Sequence, residues 1–415
     1  MSIQVVTAAG SGSVALSNSI RTQYVEEYLE AAAMERLYDQ ISSPIGKPME
    51  ELKRGSSVQV EFLSDMTPST SAISEVVDIV PQALRDNTAS LTPTSRADAI
   101  QCSELLLIEA FTDYGAKQYR RVGKALMESV EILARNAATQ GSNVRRGGTT
   151  TTTRVLLDAG TSGHRCDDIV LNLAAAQLQA LKVPGFPQPL DKGGSTWAAI
   201  THPAVYNDLR NGGNVVSIAQ YQKPDIILQN ELGMVGKFRL VISPWAKVFG
   251  AAGAAATAGA VETTLQTAVN PLATTVNVAA VTNLATAVNN WYTIAPTHET
   301  GNTHQTLSER VRYVNHTGST VTIIGEGANG GLRFAHSAGD MFSNDDTVYT
   351  VVLGGPASLA KVFATEIGEF GQIVGPKRDG LVDQFVSFGY KWYGGYGILA
   401  QSHLLRLEVS SQADA

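Results

Sequence analysis

Cysteine is nearly absent: Cys102 and Cys166 are the only two in 415 residues, too few for a disulfide framework of the kind that staples small secreted folds. Charge is scarce as well. Asp, Glu, Lys and Arg make up 17% of the chain, against about 25% in ordinary soluble domains, and a surface so thin in charge points to faces covered by other copies. A basic excess is missing, since 31 Lys and Arg stand against 38 Asp and Glu, and the net −7 argues against a sequence-reading DNA binder. The first twenty residues carry no Lys or Arg, so the cationic start of a secretory signal is lacking and synthesis in a reducing cytoplasm is expected. Gly250 to Ala260 is apolar only through Ala and Gly; it is too short to span a bilayer and reads as a hinge. What is present is a 44% hydrophobic chain, long enough at roughly 150 residues per domain for two or three domains around a large core.

The pattern along the chain is mixed. After Ser17-Asn18-Ser19, a capping cluster, Ile20, Tyr24, Tyr28 and Ala32 recur every fourth residue, which predicts a helix that Pro44 and Pro48 terminate. It forms an arm that must dock on something. From Ser56 to Phe62 the period changes to two, with Val58, Val60 and Phe62 on one face. The polar, proline-bearing stretch Asp65 to Ser95 then reads either as an ordinary surface loop or as the tip and sides of a long hairpin, which on its own is marginal in water. The strongest helix is predicted over Asp113 to Gln140, with Tyr119, Val122, Leu126, Val130, Leu133 and Ala137 as its apolar stripe. Arg120, Arg121, Lys124, Glu128, Glu131 and Arg135 fall mainly off that stripe, as a solvated or intersubunit charged face.

A further αβ unit follows. Asp167 or Asp168 caps a helix lined on one side by Ile169, Val170, Leu173, Ala174, Leu178 and Leu181. The strand Thr196 to Ile200, a short helix opened by Pro203 and the strand Lys237 to Ile242 come next. Short strands are then expected at Glu262 to Val269, Thr274 to Val278, Trp291 to Ala295, Arg310 to Val314, Thr320 to Ile324 and Leu332 to Ala335, the texture of a small sandwich or barrel. Phe385 to Val409 closes the chain, with Leu405, Leu407 and Val409 alternating against Arg406 and Glu408.

No constellation of catalytic chemistry stands out. Gly325 to Gly330 (GEGANG) imitates the spacing of a dinucleotide fingerprint, but no helix pattern follows to hold a pyrophosphate, so a pair of turns is expected there. His164-Arg165-Cys166 has no second His or Cys nearby, and His298, His304, His316 and His336 are scattered. Catalytic, cofactor and metal sites are all expected to be absent.

Four stretches carry a resemblance. They are Gly55 to Phe62 (GSSVQVEF) with Met66 to Thr70 and Ser74-Glu75; Trp197 to Arg210 (WAAITHPAVYNDLR); Gly233 to Phe249 (GMVGKFRLVISPWAKVF); and Tyr390 to Leu399 (YKWYGGYGIL). In this order the sequence resembles the major capsid proteins of tailed bacteriophages, of Hong Kong 97-like fold, in their podophage-like branch. The resemblance implies an α+β fold with an N-terminal arm (1–52), an extended loop (53–103), a peripheral domain with a long spine helix (104–142 and 381–412) and an axial domain (143–250 and 347–380). The block 251–346 departs from it as an inserted all-β domain.

The resemblance also implies self-assembly into pentamers and hexamers around non-specifically packaged double-stranded DNA. Portal, scaffold and decoration proteins would be its partners and the virion its location, after assembly in a bacterial cytoplasm, with no membrane involved. Ile20, Tyr24, Tyr28, Val58, Val60, Phe62, Arg120 and Arg121 are the candidate assembly contacts. The alternative weighed against this is an encapsulin-like shell around a protein cargo. A tail or surface adhesin and an NAD-dependent enzyme rank behind both.

Overall fold

The computed structural model describes residues 36–44, 57–63, 66, 68–70, 81, 86–109, 114–148, 153–157, 162–187, 195–212, 215–217, 228, 230–250, 262–281, 284, 291–297, 299, 307–343, 347–356, 358–364, 367–369, 371–379 and 384–414. The helix expected between Ile20 and Ala32 and the Ala/Gly hinge lie outside them. Two compact units emerge: one from Met1–Arg36, Ser43–Val130 and Ala360–Leu399, the other from Leu37–Ser42, Glu131–Leu359 and Ala400–Ala415.

The first unit is built on a five-stranded sheet in which Ser42–Pro44, Leu359–Phe363, Phe385–Ile398 and Gln372–Asp379 follow one another, with Thr94–Ser103 also paired to Phe385–Ile398. Val386, Phe388, Tyr390 and Trp392 are buried at every second position, as the pleat requires. Helix α1, Glu104–Glu109, has no counterpart among the sequence expectations; helix α2, Tyr114–Thr139, does. Along α2 the side chains of Tyr119, Val122, Leu126 and Val130 are buried as the stripe predicts. Tyr119 meets Phe388 edge-on at 5.1 Å and donates its hydroxyl to the Gly375 carbonyl at 2.8 Å. One turn later the stripe drifts. Ala134 and Ala138 are buried while Leu133 and Ala137 are half-buried, because a 3.6-residue turn carries a row of side chains slowly around the helix.

The same drift corrects the expected charged face. Glu131 and Arg135 are buried, not solvated. Glu131 accepts from the Tyr38 backbone N–H through both carboxylate oxygens at 3.2 Å, and Arg135 donates to the Trp245 carbonyl at 3.3 Å. Burial lowers the Arg135 guanidinium pKa to about 10.

The second unit holds a nine-stranded sheet. Its main path runs Val144–Arg146, Leu404–Val409, Val348–Gly354, Ser195–Thr201, Phe238–Ile242, Glu231–Val235, Val216–Ser217. Helices α3, Asp168–Ala180, and α4, Pro203–Asn211, contribute Val170, Leu171, Ala174, Leu178, Val205 and Leu209 to a core shared with Trp197, Phe238, Tyr349 and Leu405. Asp167 caps α3 by accepting from the Val170 N–H at 2.8 Å. His202 caps α4 through its ring, Nδ1 accepting from the Ala204 N–H at 3.2 Å, with Pro203 in the first turn. The expected buried face of α3 is wrong by about one position: Leu171 and Ala175 point inward, while Ile169, Leu173 and Leu181 are exposed, Ile169 at 69%. A helix apolar on all sides has no unique face for periodicity to find. Where the chain leaves strand Val348–Gly354, a side chain at Gly355 would collide with the Pro184 carbonyl at 1.8 Å, so the close approach of these two loops requires glycine.

Between Glu262 and Ser343 the chain makes a separate sheet, in the order Glu262–Thr264, Met341–Ser343, Trp291–Ala295, Glu309–Thr317, Thr320–Gly325, Thr275–Asn277. Its two end strands also meet: Gln266 N–H donates to the Asn277 carbonyl and Ala279 N–H to the Thr264 carbonyl, both at 2.8 Å. The sheet is therefore a closed barrel with a protected edge. Inside lie Val276, Ile294, Val311, Val321, Ile323 and a stacked pair, Tyr292 and Phe342, 4.6 Å apart. The expected strand Leu332 to Ala335 is not one, and Glu262 to Val269 is regular only at its start; Met341–Ser343 takes the remaining place in the sheet.

Two expectations about the end of the chain also change. Phe385 to Val409 is two strands in different sheets, broken by the turn at Gln401–His403. Residues 360–399 belong with the first unit and 400–415 with the second. Arg406 and Glu408, which alternation places outward, are buried, because this strand is covered on both faces. Glu408 takes Arg154 at 2.7 Å, Arg146 at 3.0 Å and Arg406 at 3.0 Å. Removing its carboxylate in Glu408→Ala leaves those guanidinium groups buried without their anion and is expected to cost about 3–5 kcal/mol. Urea denaturation followed by circular dichroism checks this, and an unchanged midpoint contradicts it.

Candidate assembly surfaces and the anchored barrel

Val58–Leu63 and Asp86–Leu91 form a two-stranded antiparallel sheet with register Val58↔Leu91, Val60↔Ala89 and Phe62↔Asn87. Val58, Val60 and Phe62 thus occupy alternate positions of one strand. At the base of the hairpin Leu91 packs with Ala360 and Val362, and half-buried Val58 and Leu399 lean on them. Past this base its strands pair only with each other among the described residues, and Met66 beyond them is 65% exposed. Among the described residues this hairpin has neither the third strand nor the covering helix that stability in water calls for.

The outward face of α2 places Lys117, Arg120, Arg121 and Lys124 at steps of three, one and three residues, all exposed, and Lys124 reaches Glu128 at 3.7 Å. Only Arg120 and Arg121 of this stripe stand among the candidate contacts from sequence. A second surface escaped the sequence reading. In α1, Leu105 is 62% and Ile108 65% exposed, and Leu106 is exposed beside them. Phe385, also exposed, pairs in register with Ser103 next to this helix. The signal was the run Leu105 to Ile108, four apolar residues in a row on a short element. Ile20, Tyr24 and Tyr28 lie outside the described residues. The chain is first described at Arg36, which pairs with Glu369 at 2.8 Å; Lys361 holds the same oxygen at 2.9 Å. Burial works to raise the Glu369 carboxyl, but these two cations hold it below the usual carboxylate range.

The barrel is anchored to the nine-stranded sheet by polar and aromatic contacts. The GEGANG segment is a tight turn, with Asn329 at φ 58°, and not the start of a helix. It presents Glu326 to His202 Nε2 at 3.2 Å and to Arg333 at 3.2 Å. Burial pushes the Glu326 carboxyl up, and the hydrogen bond from His202 with the charge of Arg333 brings it below its ordinary value. Arg333 also donates to the Pro244 carbonyl at 2.6 Å and lies over the Trp245 ring at 4.3 Å. Arg310 sits 3.7 Å above Trp291 and 5.4 Å from Tyr349. His336, expected to stand alone, is instead held between Glu309 at 2.8 Å and Asp340 at 3.2 Å. Among the described residues no three His, Cys, Asp or Glu side chains are grouped as a metal site.

Deepest in this joint, Lys247 pairs with Glu299 at 3.4 Å and hydrogen-bonds Ser308. Glu299 accepts from the Gly250 N–H at 3.0 Å, and its carbonyl accepts from Arg154 at 3.0 Å. Burial lowers the Lys247 pKa from 10.5 to about 7, against the attraction of Glu299. Between those two values the unfolded chain binds a proton that the folded chain does not, so stability from this site rises with pH from about 7 to 10.5. Relative to Lys247→Met, the wild-type protein should therefore gain stability between pH 7 and pH 9.5 in urea denaturation. A wild-type-to-variant difference independent of pH contradicts the assignment.

No protein-family profile matches the sequence, and no curated protein does. Solved structures do match. The capsid of Ralstonia phage GP4 is similar at TM-score 0.54 and 9% identity, over 92% of this chain and 91% of that one. The capsid of cyanophage P-SCSP1u gives 0.49 and 12%, over 90% and 88%. The capsid asymmetric unit of cyanophage Pam1 gives 0.49 and 12%, over 92% and 93%. The GP4 likeness, spanning nine-tenths of both chains, shows the fold: this is the α+β, Hong Kong 97-like fold of tailed-phage major capsid proteins.

Proposed function

We propose that the chain is the major capsid protein of a tailed bacteriophage, a structural subunit that assembles into pentamers and hexamers of an icosahedral head around double-stranded DNA. The observation that carries this reading is the fold it has in common with the GP4 capsid, over 92% of this chain and 91% of that one. The hairpin gives the fold a physical motive to assemble. Val58, Val60 and Phe62 lie on a two-stranded element that a neighbouring copy would complete, and each copy gains stability from assembly by mass action. In this reading residues 1–52 are the arm, with Ile20, Tyr24 and Tyr28 as its contacts, and 53–103 the extended loop. The first unit supplies the peripheral domain with α2 as spine, and the second supplies the axial domain with the barrel inserted in it. Portal, scaffold and decoration proteins would be the further partners, and the virion the location.

Electron microscopy of the purified protein, alone and with its scaffold, should reveal closed icosahedral particles; only monomers and small open oligomers would refute the reading. Deleting Met66 to Asp86 should leave a folded, soluble subunit and reduce particle yield at least about tenfold, the effect of losing ~1.4 kcal/mol per contact. Wild-type yield after that deletion would remove the hairpin from assembly. Because the barrel is closed and has its own core, residues 258–346 expressed alone should give a dispersed amide NMR spectrum; a collapsed one would show that the barrel needs its anchorage to fold.

A further inference from the structure

The exposed face of α2 is a basic stripe within an acidic protein. Lys117, Arg120, Arg121 and Lys124 cover about two turns, ~10 Å of helix, and no acidic side chain interrupts them before Glu128. The chain carries a counterpart of the same dimensions. Between Ile20 and Glu35 there are four glutamates and one arginine, and Glu26, Glu27 and Glu30 are spaced to share one side of the helix that the Ile20, Tyr24, Tyr28 periodicity predicts.

We propose that the acidic side of this arm, from a second copy of the chain, docks on the Lys117–Lys124 stripe of α2. The proposal rests on the shell reading and specifies one of its contacts. Three observations favour an arm over nucleic acid as the occupant. The stripe is short, where a duplex presents a charge about every 1.7 Å along its whole axis. It ends at an acidic residue, Glu128, that would repel a phosphate backbone continuing along the helix. The arm is also present at one per stripe, so every copy that offers the basic face brings the acidic one. Paired charges at an exposed helix surface fix register and partner more than they add affinity. The contact therefore sets which neighbour the arm takes, while Tyr24 and Tyr28 supply the apolar area.

The full-length protein tests this by charge exchange. Lys117→Glu, Arg121→Glu and Lys124→Glu together, all on exposed positions, should leave the melting temperature of the soluble subunit unchanged and reduce particle yield about tenfold. Glu26→Lys, Glu27→Lys and Glu30→Lys together should do the same. Combining both sets should restore most of the yield. In wild-type particles assembled from an equal mixture of 14N and 15N chains, zero-length carbodiimide coupling should join Lys117 or Lys124 to Glu26, Glu27 or Glu30 in peptides carrying both labels.

Failure of the combined variant to recover, together with absence of such peptides, overturns the proposal. Cross-links with one label only assign the stripe to the chain's own arm and overturn it too. Normal particle yield with reduced nucleic-acid content in the stripe variant overturns it in favour of a phosphate contact. If the wild-type protein forms no particles at all, the shell reading fails first, and that result is distinct from each of these.

Discussion

Glu408 lies on a strand covered on both faces, and three arginines from three separate stretches of the chain converge on its two oxygens. An isolated carboxylate in such a place would be too costly to keep ionised; surrounded by Arg146, Arg154 and Arg406 it becomes a junction. Arg154 carries the junction onward. It lies 3.7 Å over the Phe249 ring and donates to the carbonyl of Glu299, whose side chain in turn holds Lys247, Ser308 and the Gly250 N–H. One continuous polar path thus runs from the strand Leu404–Val409 to the root of the barrel. Each step of the path is a contact between neighbours, which couples the barrel's attachment to the nine-stranded sheet.

The hairpin is held by a much smaller base. Its strands bond to each other, and at its base Leu91 packs with Ala360 and Val362, with Val58 and Leu399 against them. The exposed leucines of α1 and the basic stripe of α2 belong to the same first unit. A hairpin paired only with itself among the described residues and the exposed apolar side chains of α1 suit the proposed subunit, which neighbours would complete. The low charge fraction of the sequence acquires a physical meaning here: surfaces that end up against other copies need less charge to keep them dispersed.

Much of this was legible from local pattern. A cap at Asp167 or Asp168, the helix opened by Pro203, the strand Trp291–Ala295 and the stripe of α2 as far as Val130 follow from rules that act within one or two turns of chain. Failures came where a residue's environment is set by distant chain. Glu131, Arg135, Arg406 and Glu408 look solvated because they are charged, and only their tertiary partners make burial tolerable. The face of α3 was misread since its apolar residues encircle it. The α1 patch, a run too short for periodicity, was missed.

The claim on which all else turns is that the hairpin finds its missing partner on another copy. Amide hydrogen exchange, compared between the free subunit and the assembled particle, measures this directly. The account predicts fast exchange of the outward N–H groups of 58–63 and 86–91 in the free subunit and marked slowing on assembly, with the barrel strands unchanged. Equal exchange of the hairpin in both states would contradict it.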